Sequence, residues 1–224
     1  MGGRRTDRLT AVETELKAAG GDVVAVPGDV TDPIVRQHLL DAAKTHFGGL
    51  DCLINNAGMG GIGNFADNDE ARLRQIMEVN FFAPAELTRL AIPELRRGNK
   101  PIIVNVASVL GHRAIPRKSE YCASKFALHG LSDSLRSELV RYGIDVTIIS
   151  PSTTETEFFD VALGDKRMLP WLAKGQAPDV VARAAVRAIE RGQHEIILTA
   201  GGKGMVWFDR LMPGLTDNLV AKYG

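Results

Sequence analysis

Tyr121 and Lys125 stand four residues apart in a stretch whose pattern predicts a helix over 118–142, so both side chains leave the same face. Ser108, thirteen residues before Tyr121, ends the strand that precedes this helix. In a parallel sheet, ligands gather at the carboxyl ends of the strands, and that edge is where Ser108 and the start of the helix converge. The chemistry suits a carbonyl. A phenol can give a proton to a developing alkoxide, but with an unperturbed pKa of about 10 it is sluggish near neutrality. A neighbouring ammonium favours the phenolate. Lowering the pKa by about three units takes roughly 4 kcal/mol of differential interaction, within reach of a partly desolvated site with two nearby cations. Singly, each residue is ordinary: a Tyr–Lys pair at this spacing occurs on many helices, and a serine often ends a strand. Together they are far more specific.

The elements that must position these groups alternate. Residues 6–19 place Leu9, Val12, Leu16 and Ala19 on one helical face and stop at Gly20-Gly21. A strand over Val23 to Val26 ends in Gly28-Asp29-Val30-Thr31. Asp32-Pro33 then opens a helix, with proline at its tolerated first position, that closes near Gly48-Gly49. Leu50 to Ile54 reads as a buried parallel strand. A long helix over about 68–96 follows, interrupted or bent near Pro84 and Pro93. The strand Ile102 to Val106, the helix 118–142 stopped by Gly143, and the strand Ile144 to Ile149 come next. After a variable stretch, a helix at 178–191 and a last strand, His194 to Thr199, complete the pattern. Strict alternation predicts an α/β fold with a doubly wound, Rossmann-like parallel sheet, and 1–224 reads as one domain.

Composition narrows the classes. Lys plus Arg and Asp plus Glu each total 27, so no basic footprint for nucleic acid or an anionic membrane is present. Two cysteines, Cys52 and Cys122, without a CxxC pair exclude a disulfide scaffold and a cysteine-rich zinc site, and suit a reducing, cytoplasmic setting. The five histidines lack ligand spacing, and no metal is implied. No apolar run nears the roughly 18 residues a spanning helix needs. Met1-Gly2-Gly3-Arg4-Arg5-Thr6 fits the loose myristoylation pattern, but the same residues have a better reading below.

Five ordered motifs give this chain a resemblance to the short-chain dehydrogenase/reductase family. Tyr121-Cys122-Ala123-Ser124-Lys125 resembles its YxxxK signature, with Ser108 at the usual separation. Asn55-Asn56-Ala57-Gly58 resembles its NNAG turn, Asn80 its helix asparagine, and Gly28-Asp29-Val30-Thr31 its adenine-contacting turn. The resemblance implies hydride transfer between a nicotinamide cofactor and a small carbonyl or secondary alcohol. It makes Tyr121 the general acid/base, with Lys125 lowering its pKa and holding the nicotinamide ribose. Ser108 would orient the substrate oxygen and Asn80 would anchor a proton relay. Asp29 and Val30 would meet adenine, while Asn56, Ala57 and Gly58 line the cofactor. Pro151-Ser152-Thr153-Thr154-Glu155-Thr156 resembles the family's Pro-Gly-x-x-x-Thr stretch, with Pro151, Thr154 and Thr156 against the cofactor and Ser152 in place of glycine.

The family's TGxxxGxG phosphate turn has no counterpart before residue 1. Gly3-Arg4-Arg5 resembles the turn after its second strand, which implies an N-terminally incomplete fold lacking a strand–helix–strand unit. Gly58-Met59-Gly60-Gly61-Ile62-Gly63 satisfies GxGxxG literally, but Glu78, where a ribose-binding acid belongs, lies inside a helix. Three readings remain: a truncated or mis-assigned start, completion by another chain, or a genuinely reduced form. The alternative to an enzyme is a truncated or non-catalytic relative that binds or assembles without competent cofactor binding. In the family's strand order, the absent pair leaves a gap between the 22–27 and 50–55 strands or forces them to pair directly.

Arginine after the second strand favours a 2′-phosphate, so Arg4 and Arg5 imply NADP(H) over NAD(H), the alternative being plain surface arginines. The variable segment 152–177 would select substrate, with Phe158, Phe159, Met168, Leu169 and Trp171 either lining an apolar pocket or packing. The tail around Met205-Val206-Trp207-Phe208, Leu211 and Met212 reads as packing, with a lid, a subunit contact or a membrane-leaning surface as alternatives. The helices at 68–96 and 118–142 resemble those of the family's dimer interface, implying a homodimer or homotetramer.

Overall fold

The computed structural model describes residues 1–159, 162–165 and 175–223. A two-residue strand, β1 (Gly2–Gly3), leads into α1 (Thr6–Ala18), then β2 (Val26–Pro27) and α2 (Pro33–Phe47). The Asp32 carboxylate accepts the Ile34 N–H at 2.8 Å to cap α2, and Gly48, left-handed at φ 79°, ends it. β3 (Cys52–Asn55) is followed by β4 (Gly61–Ile62), α3 (Glu70–Met77) and α4 (Ala83–Leu95). β5 (Ile102–Val106), α5 (Ser119–Leu139), β6 (Asp145–Ser150) and β7 (Leu163–Gly164) come next. The chain closes with α6 (Pro178–Glu190), β8 (Glu195–Ile197), α7 (Ala200–Leu211) and α8 (Pro213–Tyr223). No helix among the described residues is long and apolar enough to cross a membrane.

The main sheet is parallel, in the order β3-β5-β6-β8. Alternation along β5 sends Ile103 to one face, with Leu53, Leu87, Leu95 and Val146, and Ile102 and Val104 to the other, with Ile149 and Ala188 of α6. Both faces of β5 are buried, as its continuous apolar run predicts. A polar ladder crosses this core: Asn55 donates to Thr88 at 3.0 Å and Asn105 at 2.8 Å, and Asn105 donates to Ser132 at 2.8 Å.

Several details depart from the sequence reading. The strand expected over Val23 to Val26 shrinks to Val26–Pro27, because its parallel partner is only Gly2–Gly3 long. Those two strands form a sheet of their own, so the gap arrangement holds and β2 does not pair with β3. Ile54 therefore stays 55% exposed on the open side of β3, and Val12 and Leu16 of α1 are exposed as well. The long helix is irregular ahead of Pro84: residues Glu78–Phe82 form a π turn. Pro84 has no N–H for the carbonyl of Asn80, so the turn widens there and carries Asn80 inward. The tail is two helices pinned by Arg113, which donates to Asp209 at 2.9 Å and Asp217 at 2.7 Å. Their outer face exposes Trp207, Leu211 and Leu219, so packing holds for one face only.

No side chain caps the start of α5, and that end is fixed by a buried ion pair instead. Glu120 is buried, lies 3.4 Å from Arg72, and accepts the Asn68 amide at 2.9 Å. The guanidinium also donates to Asn68 at 2.8 Å, but its Nε and Nη2 make no aligned hydrogen bond. Removing one partner of such a pair strands the other charge. Glu120→Ala is expected to lower stability by about 3–5 kcal/mol in urea unfolding, and Glu120→Gln by less. An unchanged midpoint for Glu120→Ala would remove this pair from the account of α5.

Candidate active site

β5 delivers Ser108 and α5 delivers Tyr121 and Lys125, and all three are buried at one point. Ser108 is extended at φ −171° and caps the 3-10 turn Val109–Gly111, its Oγ accepting the Leu110 N–H at 3.1 Å. The same side chain is hydrogen-bonded to the Tyr121 phenol. One helical turn on, Lys125 Nζ donates to the Val106 carbonyl at 2.9 Å and lies 5.8 Å from the Tyr121 ring centre.

Asn80 joins this group from the π turn. Its Oδ1 accepts the Met59 N–H at 2.8 Å, and its Nδ2 donates to the Met59 carbonyl and to Ser124 Oγ, both at 2.9 Å. Ser124 passes the link on by donating to the Tyr121 carbonyl at 2.7 Å. The turn after β3, the π turn and α5 are thereby tied together behind the phenol.

The electrostatics run against one expectation. The Tyr121 pKa is pushed up to about 12, chiefly by burial, with the Ser108 hydrogen bond opposing. Burial alone pushes Lys125 down to about 8. The ammonium does not lower the phenol pKa here, because it is aimed at the Val106 carbonyl and not at the phenol oxygen. A neutral phenol and a readily deprotonated amine are thus held side by side.

Two neighbours escaped the sequence reading. Lys118 is buried with Nζ 5.7 Å from the Tyr121 ring centre, and burial lowers its pKa. Ser124 was visible only as a filler position of the Tyr–Lys motif. Phe158 stands edge-on to Tyr121 at 5.8 Å between ring centres, and a Cβ on Gly60 would meet it at 3.0 Å. That places Phe158 against the site. The Phe159 side chain, Met168, Leu169 and Trp171 lie outside the described residues.

The remaining residues from the sequence fall along the same sheet edge. Asn56 and Ala57 are exposed beyond β3. A Cβ on Gly58 would sit 3.4 Å from Asn80 Oδ1, 3.7 Å from Lys125 Nζ and 3.9 Å from Phe158, so the bare glycine leaves a methyl-sized cradle beside the ammonium. The exposed Asn56 and Ala57 flank that space with amide and backbone groups, donors and acceptors of the kind a nicotinamide carboxamide would take. Pro151 accepts the Val109 N–H at 3.0 Å, Thr154 bridges to Gln176, and Thr156 accepts the Phe158 N–H at 3.3 Å. Ser152, the departure from glycine, meets Thr199 at 2.6 Å and docks this stretch on α7.

The distant end is already engaged. Asp29 accepts the Thr31 N–H at 3.0 Å and hydroxyl at 2.9 Å, and Arg4 lies 3.6 Å away. Burial pulls the Asp29 carboxyl up, but Thr31 and Arg4 outweigh it and hold it below the usual range. Val30 is half-buried against the core. Arg5 and Arg8 both bind Glu157, the latter at 2.9 Å, so Arg4 and Arg5 each face a carboxylate.

The short chain dehydrogenase family pattern matches residues 1–166. The ketoacyl reductase HetN of Nostoc is 36% identical over 184 residues, which span 82% of this chain and 63% of HetN. The uncharacterized oxidoreductase YxnA of Bacillus subtilis is 30% identical over 224 residues, spanning 98% of this chain and 63% of YxnA. The chain thus corresponds to less than two thirds of the length of either relative. A short chain dehydrogenase/reductase from Burkholderia phymatum, solved in complex with NAD, superposes with a TM-score of 0.88 at 24% identity, over 96% of this chain and 84% of that one. A gluconate 5-dehydrogenase from Burkholderia cenocepacia, in complex with NADP and tartrate, gives 0.78 at 19%, over 91% and 84%. These two structures speak for the fold, a Rossmann-like parallel sheet flanked by helices. With the family pattern running from residue 1 through the site, the chain belongs to the short chain dehydrogenase family.

Proposed function

We propose that this chain is an oxidoreductase that works with NADP(H) on a carbonyl or secondary alcohol, Tyr121 moving the proton. The observation that carries the reading is the convergence of Ser108, Tyr121 and Lys125 beside the Gly58 cradle. The nicotinamide supplies or accepts the hydride. Ser108 holds the substrate oxygen next to the phenol, and Tyr121 protonates the alkoxide that forms. A phenol with a pKa of about 12 is fully protonated at neutral pH, which favours the direction of carbonyl reduction. Proton loss in that step leaves a phenolate, and the Lys125 ammonium offsets its charge in a site with little water. Asn80 and Ser124 keep the backbone around the phenol from shifting.

A second reading, a family relative that binds or assembles without turnover, is favoured by the separation of β1–β2 from the main sheet. Titrating NADPH into the folded chain separates the two. Fluorescence enhancement with carbonyl-dependent oxidation supports the enzyme, and neither at millimolar cofactor supports the second reading.

Three outcomes follow for the active protein. Tyr121→Phe keeps the ring and removes the proton, so kcat is expected to fall by about 10²–10⁴; wild-type turnover would refute the assignment. Reduction should proceed below pH 8 and decline above it, since Lys125 loses its charge at about 8 and the phenolate then lacks its counter-charge. A pH–rate profile of wild type against Lys125→Met tests this: the variant should lose that limb along with most of its rate. For the cofactor, Arg4→Ala with Arg5→Ala should raise the KM for NADPH about tenfold relative to NADH, a loss of one charge-assisted contact. An equal change for both would return these arginines to the surface.

A further inference from the structure

Around the turn that follows Ser108, four polar side chains converge from four different segments. His112 follows the turn that Ser108 caps, His129 lies one helical turn beyond Lys125, Ser150 ends β6, and Glu195 opens β8. The two imidazole rings meet edge to face at 4.3 Å between centres. His112 Nε2 lies 2.6 Å from Glu195 Oε1, Ser150 Oγ lies 2.8 Å from the same oxygen, and His129 Nε2 lies 3.4 Å from Ser150 Oγ. One ligand atom from each of His112, His129 and Glu195 lies within 4.8 Å of the others.

Both short contacts of the cluster run to the Glu195 carboxylate. His112 donates to Glu195, and the single Ser150 proton goes to the same carboxylate at the shorter distance. His129 also hydrogen-bonds the Ser108 backbone carbonyl. With Nε2 facing Ser150, the other ring nitrogen makes that bond and carries the proton of a neutral imidazole. The Nε2 lone pair then faces the Ser150 hydroxyl at 3.4 Å, while that hydroxyl's shorter contact, 2.8 Å, is to Glu195. A histidine whose far nitrogen donates to a backbone carbonyl is in the tautomer and orientation that metal-binding histidines adopt. Packing fixes the ring further: a Cβ on Gly111 would come 2.4 Å from His129 Cδ2.

We propose that His112, His129 and Glu195 bind one zinc-like divalent cation, with the Ser150 hydroxyl or a water as fourth donor. Two imidazole nitrogens with one carboxylate suit zinc and its first-row neighbours, while magnesium and calcium prefer oxygen alone. Zinc–ligand bonds of about 2.0–2.2 Å in a tetrahedron set the donors roughly 3.3 Å apart. His129 Nε2 and Ser150 Oγ already sit at 3.4 Å. His112 and Glu195 would part by less than about 1 Å, and no pair need close by more than about 1.5 Å. The ion would staple the Ser108 turn and α5 to β8, a structural role apart from the reacting groups.

The test uses the full chain, stripped with EDTA and then titrated with CoCl2 and, separately, ZnCl2. One equivalent of Co²⁺ should give a visible d–d absorption, and Zn²⁺ should raise the melting temperature, since an ion that binds only the folded state stabilises it. Glu195→Gln keeps a hydrogen-bond acceptor for His112 and Ser150 but loses the charge, so it should fold and bind Co²⁺ at least tenfold more weakly. His129→Asn should abolish the absorption. Folded wild-type protein that shows neither the absorption nor the thermal shift overturns the proposal, leaving a hydrogen-bond network only. So does an affinity unchanged in both variants.

Discussion

The fold of this site rests on one buried amide. Asn80 uses both its N–H groups and its carbonyl oxygen on Met59 and Ser124, and is 1% exposed. A side chain that polar persists in a core only when its bonds are made, and the three bonds here reach two other segments. The turn after β3, the π turn before α4 and the start of α5 are thereby fixed relative to one another. The π turn is part of the same device, since the widened backbone ahead of Pro84 lets Asn80 reach inward.

Around that clasp, burial sets the chemistry more than charge pairing does. Tyr121 and Lys125 are displaced in opposite directions by the same cause, the loss of water, and each displacement favours the neutral form. The sheet makes this possible: β5 is covered on both faces, and α5 packs where that strand ends, so little solvent reaches the junction. The opposite edge of the molecule is different. β3 has an open side, α1 exposes Val12 and Leu16, and Arg5 and Arg8 are drawn to Glu157. The protein thus combines a tightly packed junction at Ser108, Tyr121 and Lys125 with an open margin where β1 and β2 stand apart.

Much of the fold was legible because it depends on local rules. The apolar run Ile102 to Val106, the Pro33 helix start, the Gly143 stop and the Tyr121–Lys125 spacing each express backbone geometry or periodicity that neighbours in sequence carry. The short strand at Val26–Pro27 was not legible, because a strand's length is set by its partner, here two glycines. Nor was the π turn, which answers to Pro84 and to the distant Met59 together. Lys118 gave no signal of its own: a lysine before a helix reads as solvated until the fold buries it.

The histidines make the same point most sharply. His112 and His129 are 17 residues apart and Glu195 a further 66, spacings that mean nothing along the chain. Only the crossing of β8 beside β6, with α5 packed over them, brings one ligand atom of each to within 4.8 Å of the others. By itself, the sequence determined the family, the alternation of strand and helix, and which three residues meet at the sheet edge, because those follow from short-range spacing. Tertiary structure alone decided the protonation tendencies of Tyr121 and Lys125, the partners of Arg4 and Arg5, and the cluster around the turn that follows Ser108, because desolvation and long-range contact exist only once the chain is packed.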